Sequence, residues 1–203
     1  MMNRRAFELS IGTVVSLVLI LIIFSASLYF IRQFFITIPA TSEAIDQDTE
    51  AHIRDLLREG KTVALPLNKR TTVRGGQTTA WLGIENKLGQ QNDFRLSVVF
   101  DTGFDVHERP LTTVEATHIT NNWLLYNDGP YTIPNNAFKA TLIRLKAGDT
   151  ITADGASTPR GYYVFNVCVY HTALTPPCTQ LQADATPDAF YTGKLYKLIL
   201  EVV

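Results

Sequence analysis

The sequence predicts a mainly β chain: an N-terminal transmembrane helix, a short amphipathic helix, then an antiparallel β-sandwich of seven or eight strands. Three observations carry this. The run from Leu9 to Ile31, LSIGTVVSLVLILIIFSASLYFI, has no charged residue and no proline. The stretch TSEAIDQDTEAHIRDLLREG places Ile45, Thr49, Ile53, Leu56 and Leu57 at helical spacing. From Lys61 onward the apolar period changes to two, as in half-buried strands.

A helix over Leu9 to Ile31 covers roughly 35 Å at about 1.5 Å per residue, against a bilayer core of about 30 Å. Arg4 and Arg5 precede the run, and Arg32 after it gives way to Glu43, Asp46, Asp48 and Glu50. Because basic flanks stay inside, this order puts the N-terminus in the cytoplasm and residues 41–203 outside. The expected localisation is the cell membrane, single pass. A cleaved secretory signal competes with this reading, but its apolar region is ordinarily about 7 to 15 residues long.

The expected organisation is a cytoplasmic stub or leader over residues 1–8, a transmembrane helix and interface over 9–37, an amphipathic connector over 38–60 and an extracytoplasmic β-sandwich over 61–203. At Arg4-Arg5-Ala6-Phe7 the sequence resembles the class III signal peptides of archaeal type IV pilin-like proteins, in which two basic residues and a small one precede the hydrophobic helix. The resemblance implies cleavage between Ala6 and Phe7 and packing of the apolar helix into a filament. An uncleaved signal anchor uses the same arginines as topology signals alone.

In the connector, Pro39 interrupts any continuous helix from the membrane. Acidic residues come early, Arg54 and Arg58 come late, and Glu50 with Arg54 makes an i, i+4 pair, an order that suits the helix dipole. The stripe has two uses, packing on the following domain or on copies of itself.

In the domain, Phe94, Leu96, Val98 and Phe100 alternate with Arg95 and Ser97. Phe138, Ala140 and Leu142 behave alike, as do Tyr196, Leu198, Leu200 and Val202. Further strands are expected over Thr62 to Leu65, Thr71 to Arg74, Thr78 to Asn86, Trp123 to Tyr126 and Tyr162 to Tyr170. Turn residues separate them at Gly75-Gly76, Asn127-Asp128-Gly129-Pro130, Ala147-Gly148-Asp149 and Pro159-Arg160-Gly161. No helix is expected between strands. The run Val73-Arg74-Gly75-Gly76-Gln77, through Trp81 to Glu85-Asn86, and the later Gly161-Tyr162-Tyr163-Val164 resemble the immunoglobulin-like modules of prokaryotic surface proteins. That resemblance implies a spacer, adhesin or assembly subunit.

Composition excludes several functions. With the first 40 residues set aside, 15 basic residues face 18 acidic ones, a net of −3, which gives no footprint for nucleic acid. Cys168 and Cys178 flank Pro176-Pro177; in an oxidising compartment they should bridge, worth about 2 to 3 kcal/mol. His52, His107, His118 and His171 show no H-x-H or H-E-x-x-H spacing. Asp101-Thr102-Gly103 matches the aspartic-protease triplet, which needs a second aspartate to share a proton; a strand entering an Asp/Gly turn explains it better. Asp101 with Asp105, and Asp149 with Asp154, read as turn caps rather than calcium ligands. The segment Asn121 to Tyr131 is aromatic among turn residues, and Trp123, Tyr126 and Tyr131 mark a partner surface if exposed. The sequence therefore predicts a non-enzymatic, membrane-anchored structural or adhesive module without cofactor or small-molecule substrate. Its expected partners are membrane lipid and protein, including self-association through the transmembrane helix, with the pilin-like subunit as alternative.

Overall fold

The computed structural model describes Gly12 and residues 15–24, 47–171 and 175–203. The chain divides into two compact units, Met1–Asp46 and Gln47–Val203. In the first, residues 15–24 are helical. Val15, Leu17, Val18, Leu19, Ile20, Ile22 and Phe24 are 49–66% exposed there. The Ala6–Phe7 junction, both ends of the expected spanning helix, the interface residues to 37 and the first part of the connector lie outside the described residues. Among the described residues, no helix is long and apolar enough to cross a membrane.

The second unit opens with helix α1 (Gln47–Arg58), followed by Gly60 at φ 90°. Strands β1 (Val63–Ala64), β2 (Lys69–Thr72), β3 (Gln77–Glu85) and β4 (Asn92–Asp105) come next. Helix α2 (Ala116–Trp123) leads into β5 (Leu124–Tyr126), β6 (Tyr131–Ile133), β7 (Phe138–Lys146) and β8 (Gly161–Tyr170). Helix α3 (Gln180–Ala185) and a 3-10 turn (Pro187–Ala189) precede β9 (Tyr196–Val202). One sheet has the order β1-β3-β7-β5 and the other β2-β9-β8-β4-β6. Between them lies a core that includes Leu82, Ile84, Val98, Ile143, Leu145, Tyr163, Phe165, Leu198 and Leu200, each 0% exposed. The chain is thus a mainly β, two-sheet sandwich.

Three expectations need correction. The described residues hold nine strands, because Tyr131 and Ile133 bury inward while Thr132 faces out, making a strand of what reads as an aromatic turn. The sandwich is not wholly antiparallel, since β2 runs parallel to β9, with Lys69 opposite Ile199 and Thr72 opposite Val202. Helices do intervene. The first turns of α2 occupy residues read as loop, and Trp123, expected to open a strand, instead ends that helix, because Ile119 and Trp123, one turn apart, both point into the core.

The connector packs on its own domain. Ile53 and Leu57 of α1 join Ala64 in a small cluster on the outer face of the four-stranded sheet, with Trp81, Phe138 and Ala140 against them. Gly83 makes the notch: a Cβ built there would come within 2.3 Å of the Ile53 Cγ2. Arg54, paired with Glu50 at 2.6 Å, lays its guanidinium 4.5 Å from the centre of the Phe138 ring, a cation–π contact.

Candidate functional site

The outer face of the five-stranded sheet carries a polar cluster of Asp101, Asn166 and Lys197. Strand β4 pairs with β8 in regular register up to Phe100, opposite Phe165, and resumes with Thr102 opposite Val164. Asp101 is the extra residue of this bulge. Bulges bend a strand and re-aim a side chain, and this one turns the Asp101 carboxylate over the sheet's outer face. On the neighbouring strands Asn166 of β8 and Lys197 of β9 are direct cross-strand partners. The three residues form a closed ring of hydrogen bonds. Lys197 Nζ donates to Asp101 Oδ2 at 2.8 Å and to Asn166 Oδ1 at 2.6 Å. Asn166 Nδ2 donates to Asp101 Oδ1 at 3.1 Å and to the Cys178 carbonyl at 3.0 Å. Two acceptors on one side of the amide and a cation on the other fix its orientation.

A lid covers the Asn166 end of this cluster. Cys168 of β8 and Cys178 form a disulfide closing a ten-residue separation. The bridge packs with Tyr170, Ala183 and Phe190 in a second small core, separate from the one between the sheets. Thr179 caps α3, accepting from Gln182 N at 3.3 Å, and Tyr170 Oη donates to the Pro176 carbonyl at 2.7 Å. Burial pushes the Tyr170 hydroxyl up to about 12. Under the lid Asn166 is 1% exposed, whereas the Lys197 and Asp101 side chains are 40% and 34% exposed.

Beside the lid runs a groove of about 610 Å³ between Ser97, Val99, Thr120, Tyr126 and Pro176. It follows the edge of β4 left open where β6 stops. Backbone N–H groups of Leu96, Val98 and Phe100 face this edge, and none of the three bonds a strand's backbone. They donate to the Asp128 carbonyl (2.9 Å), Tyr126 Oη (3.0 Å) and Thr120 Oγ1 (3.0 Å). One loop carbonyl and two side-chain hydroxyls thus seal an edge that would otherwise template pairing with another chain.

The residues singled out from sequence fall as follows. Cys168 and Cys178 meet in the disulfide. Trp123 is 1% exposed, its ring centre 4.8 Å from that of Tyr163 and tilted 54° to it, with its Nε1 donating to the Thr150 carbonyl at 3.2 Å. Gly148 leaves room for it, since a Cβ there would come within 2.3 Å of Trp123 Nε1. Tyr131 is 9% exposed, and its hydroxyl bonds Thr141 Oγ1 at 2.8 Å; burial raises that hydroxyl's pKa. Tyr126 is half-buried and seals the β4 edge. The three aromatics therefore pack inward and do not form one exposed surface. Asp101 meets Lys197 and Asn166, while Asp105 is held by Arg109 across the next turn. The strand runs through Asp101-Thr102-Gly103 and does not turn there. Among the described residues no three His, Cys, Asp or Glu side chains cluster as metal ligands would. Asn166 and Lys197 are the site residues that sequence reading passes over.

Neither a protein-family profile nor a curated protein matches the sequence. Solved structures resemble the chain at the level of shape. A PapD-like domain of human CEP192 matches with a TM-score of 0.39 and 14% identity, over 70% of this chain and 85% of that one. A family 123 glycoside hydrolase from Clostridium perfringens matches with a TM-score of 0.42 and 15% identity, over 74% of this chain but 25% of the enzyme. The class 5 fimbriae chaperone CfaA matches with a TM-score of 0.36 and 9% identity, over 70% of this chain and 56% of the chaperone.

Proposed function

We propose that the chain is a single-pass, membrane-anchored, extracytoplasmic module of immunoglobulin-like type, with a structural or adhesive role and protein partners. The observation that carries this is the uncharged run from Leu9 to Ile31, within which residues 15–24 are helical and bear large apolar side chains on their surface. Lipid is the cover such a surface needs. The disulfide adds support, since bridges of this kind persist in oxidising compartments. The test is fractionation of cells expressing the full chain, followed by alkylation of the membranes without reductant. The protein should stay with membranes through a carbonate wash, release with detergent, and show neither Cys168 nor Cys178 labelled. Recovery of the intact chain in the detergent-free soluble fraction overturns the anchor, and labelling of both cysteines overturns the extracytoplasmic placement.

Arg4-Arg5-Ala6-Phe7 favours a second reading, a pilin-like subunit cleaved after Ala6 that polymerises through its apolar helix. N-terminal sequencing separates the two. A mature chain starting at Phe7 supports the subunit, and a chain retaining Met1 or Met2 supports the anchor.

A further inference from the structure

We propose that Lys197, Asn166 and Asp101 are the reactants and catalyst of an intramolecular isopeptide bond joining β9 to β8. The ring of hydrogen bonds around Asn166 places each group for amide exchange. Lys197 Nζ, the nucleophile, sits 2.6 Å from Asn166 Oδ1, so the carbonyl carbon lies one C=O bond, about 1.2 Å, further on. The Asp101 carboxylate spans the reaction: Oδ2 is 2.8 Å from the attacking nitrogen and Oδ1 is 3.1 Å from the leaving one. A general acid–base group must reach the proton it moves, and these distances place it within reach at both ends.

The chemistry balances without a co-reactant. The Lys197 ammonium gives a proton to Asp101 Oδ2. Its nitrogen lone pair then forms a bond to Asn166 Cγ, and the carbonyl π electrons move onto Oδ1. As the carbonyl re-forms, the bond from Cγ to Nδ2 breaks and Nδ2 takes the proton held by Asp101, which releases it as ammonia. Nζ then passes its second proton to the Asp101 carboxylate, and the product is a secondary amide between the two side chains. Asp101 hands that proton to the released ammonia, which departs as ammonium, and is a carboxylate again.

Two features of the fold favour this reaction over hydrolysis of the same amide. The disulfide lid holds Asn166 at 1% exposure and fixes Nδ2 through the Cys178 carbonyl, which keeps water from the carbonyl carbon. Cross-strand pairing of Asn166 with Lys197 holds nucleophile and electrophile in one geometry, converting a bimolecular step into a unimolecular one. The exposed flank of Lys197 gives the ammonia a way out.

The experiment is peptide mass mapping of the full-length, detergent-extracted, reduced protein, with K197R, D101A and D101N as comparators. The wild type should yield one linked peptide pair containing Asn166 and Lys197, lighter than the two separate peptides by one ammonia. K197R should yield both peptides unlinked, and so should D101N, which keeps a hydrogen-bonding amide but takes no proton. D101N therefore stands in should D101A not fold. Separate, unmodified peptides from the wild type overturn the proposal. So does aspartate at position 166, which would make water the nucleophile. A link surviving in D101N overturns the role of Asp101.

Discussion

Asp105 shows how much one side chain contributes to the geometry of a turn. Its Oδ1 accepts from the backbone N–H of His107 and of Arg109, at 2.8 and 2.9 Å, while the Arg109 guanidinium binds Oδ2. The side-chain bond to Arg109 is the largest cause of a carboxyl pKa lowered from 3.8 to about 2. A folded-state pKa below the unfolded one means that the contribution is complete above about 3.8 and fades as pH falls through about 2. Carboxyl-carbon NMR should place the Asp105 midpoint near 2. In R109A the midpoint should move up toward the ordinary carboxylate range, and an unchanged midpoint would assign the shift to the backbone donors alone.

At the scale of elements, the docking of α1 depends on a single missing side chain. Gly83→Val would put branched carbon where Ile53 Cγ2 now lies, and overpacking of this kind costs about 1–3 kcal/mol. Displacement of the helix is cheaper than displacement of a central strand. We therefore expect G83V to expose Gln47–Arg58 to protease and to change the emission of Trp81, which packs against the helix, while the sandwich keeps its cooperative thermal unfolding. Loss of both together would mean that the helix and the sheet unfold as one unit.

Elements also show how far the sequence could be read. Tyr196–Val202 alternates cleanly and is a strand over the same residues, because one face meets the core and the other meets the sheet's outer surface. The strand at Phe94 runs on to Asp105, although Asp-Thr-Gly has the composition of a turn, because a bulge absorbs Asp101 and pairing with β8 continues. Helix α2, ATHITNNW, has β-branched residues and asparagines that weaken helix propensity. Its formation rests on burying Ile119 and Trp123, a tertiary effect invisible in local pattern. The cysteine pair was readable because its ends lie ten residues apart. The cluster of Asp101, Asn166 and Lys197 was not, since two sheet registers and one bulge bring together residues separated by 65 and 31 positions.

For the molecule as a whole, β9 is the strand that completes the sandwich. It lies between β2 and β8 and gives the core Leu198, Leu200 and Val202, each at most 2% exposed. Truncation after Lys194 should therefore abolish cooperative thermal unfolding and not merely lower its midpoint. A truncated chain that still melts in one sharp transition would show that the rest of the domain folds without its last strand.

The parallel pairing of β2 with β9 has a mechanical consequence. Strand β2 leads in from the α1 side and β9 runs to Val203, so tension applied through the two ends of Gln47–Val203 drags these neighbours lengthwise in opposite directions. Their hydrogen bonds are then loaded in shear and resist together, instead of unzipping one after another. A domain wired this way withstands traction along its own chain better than an antiparallel terminal hairpin would.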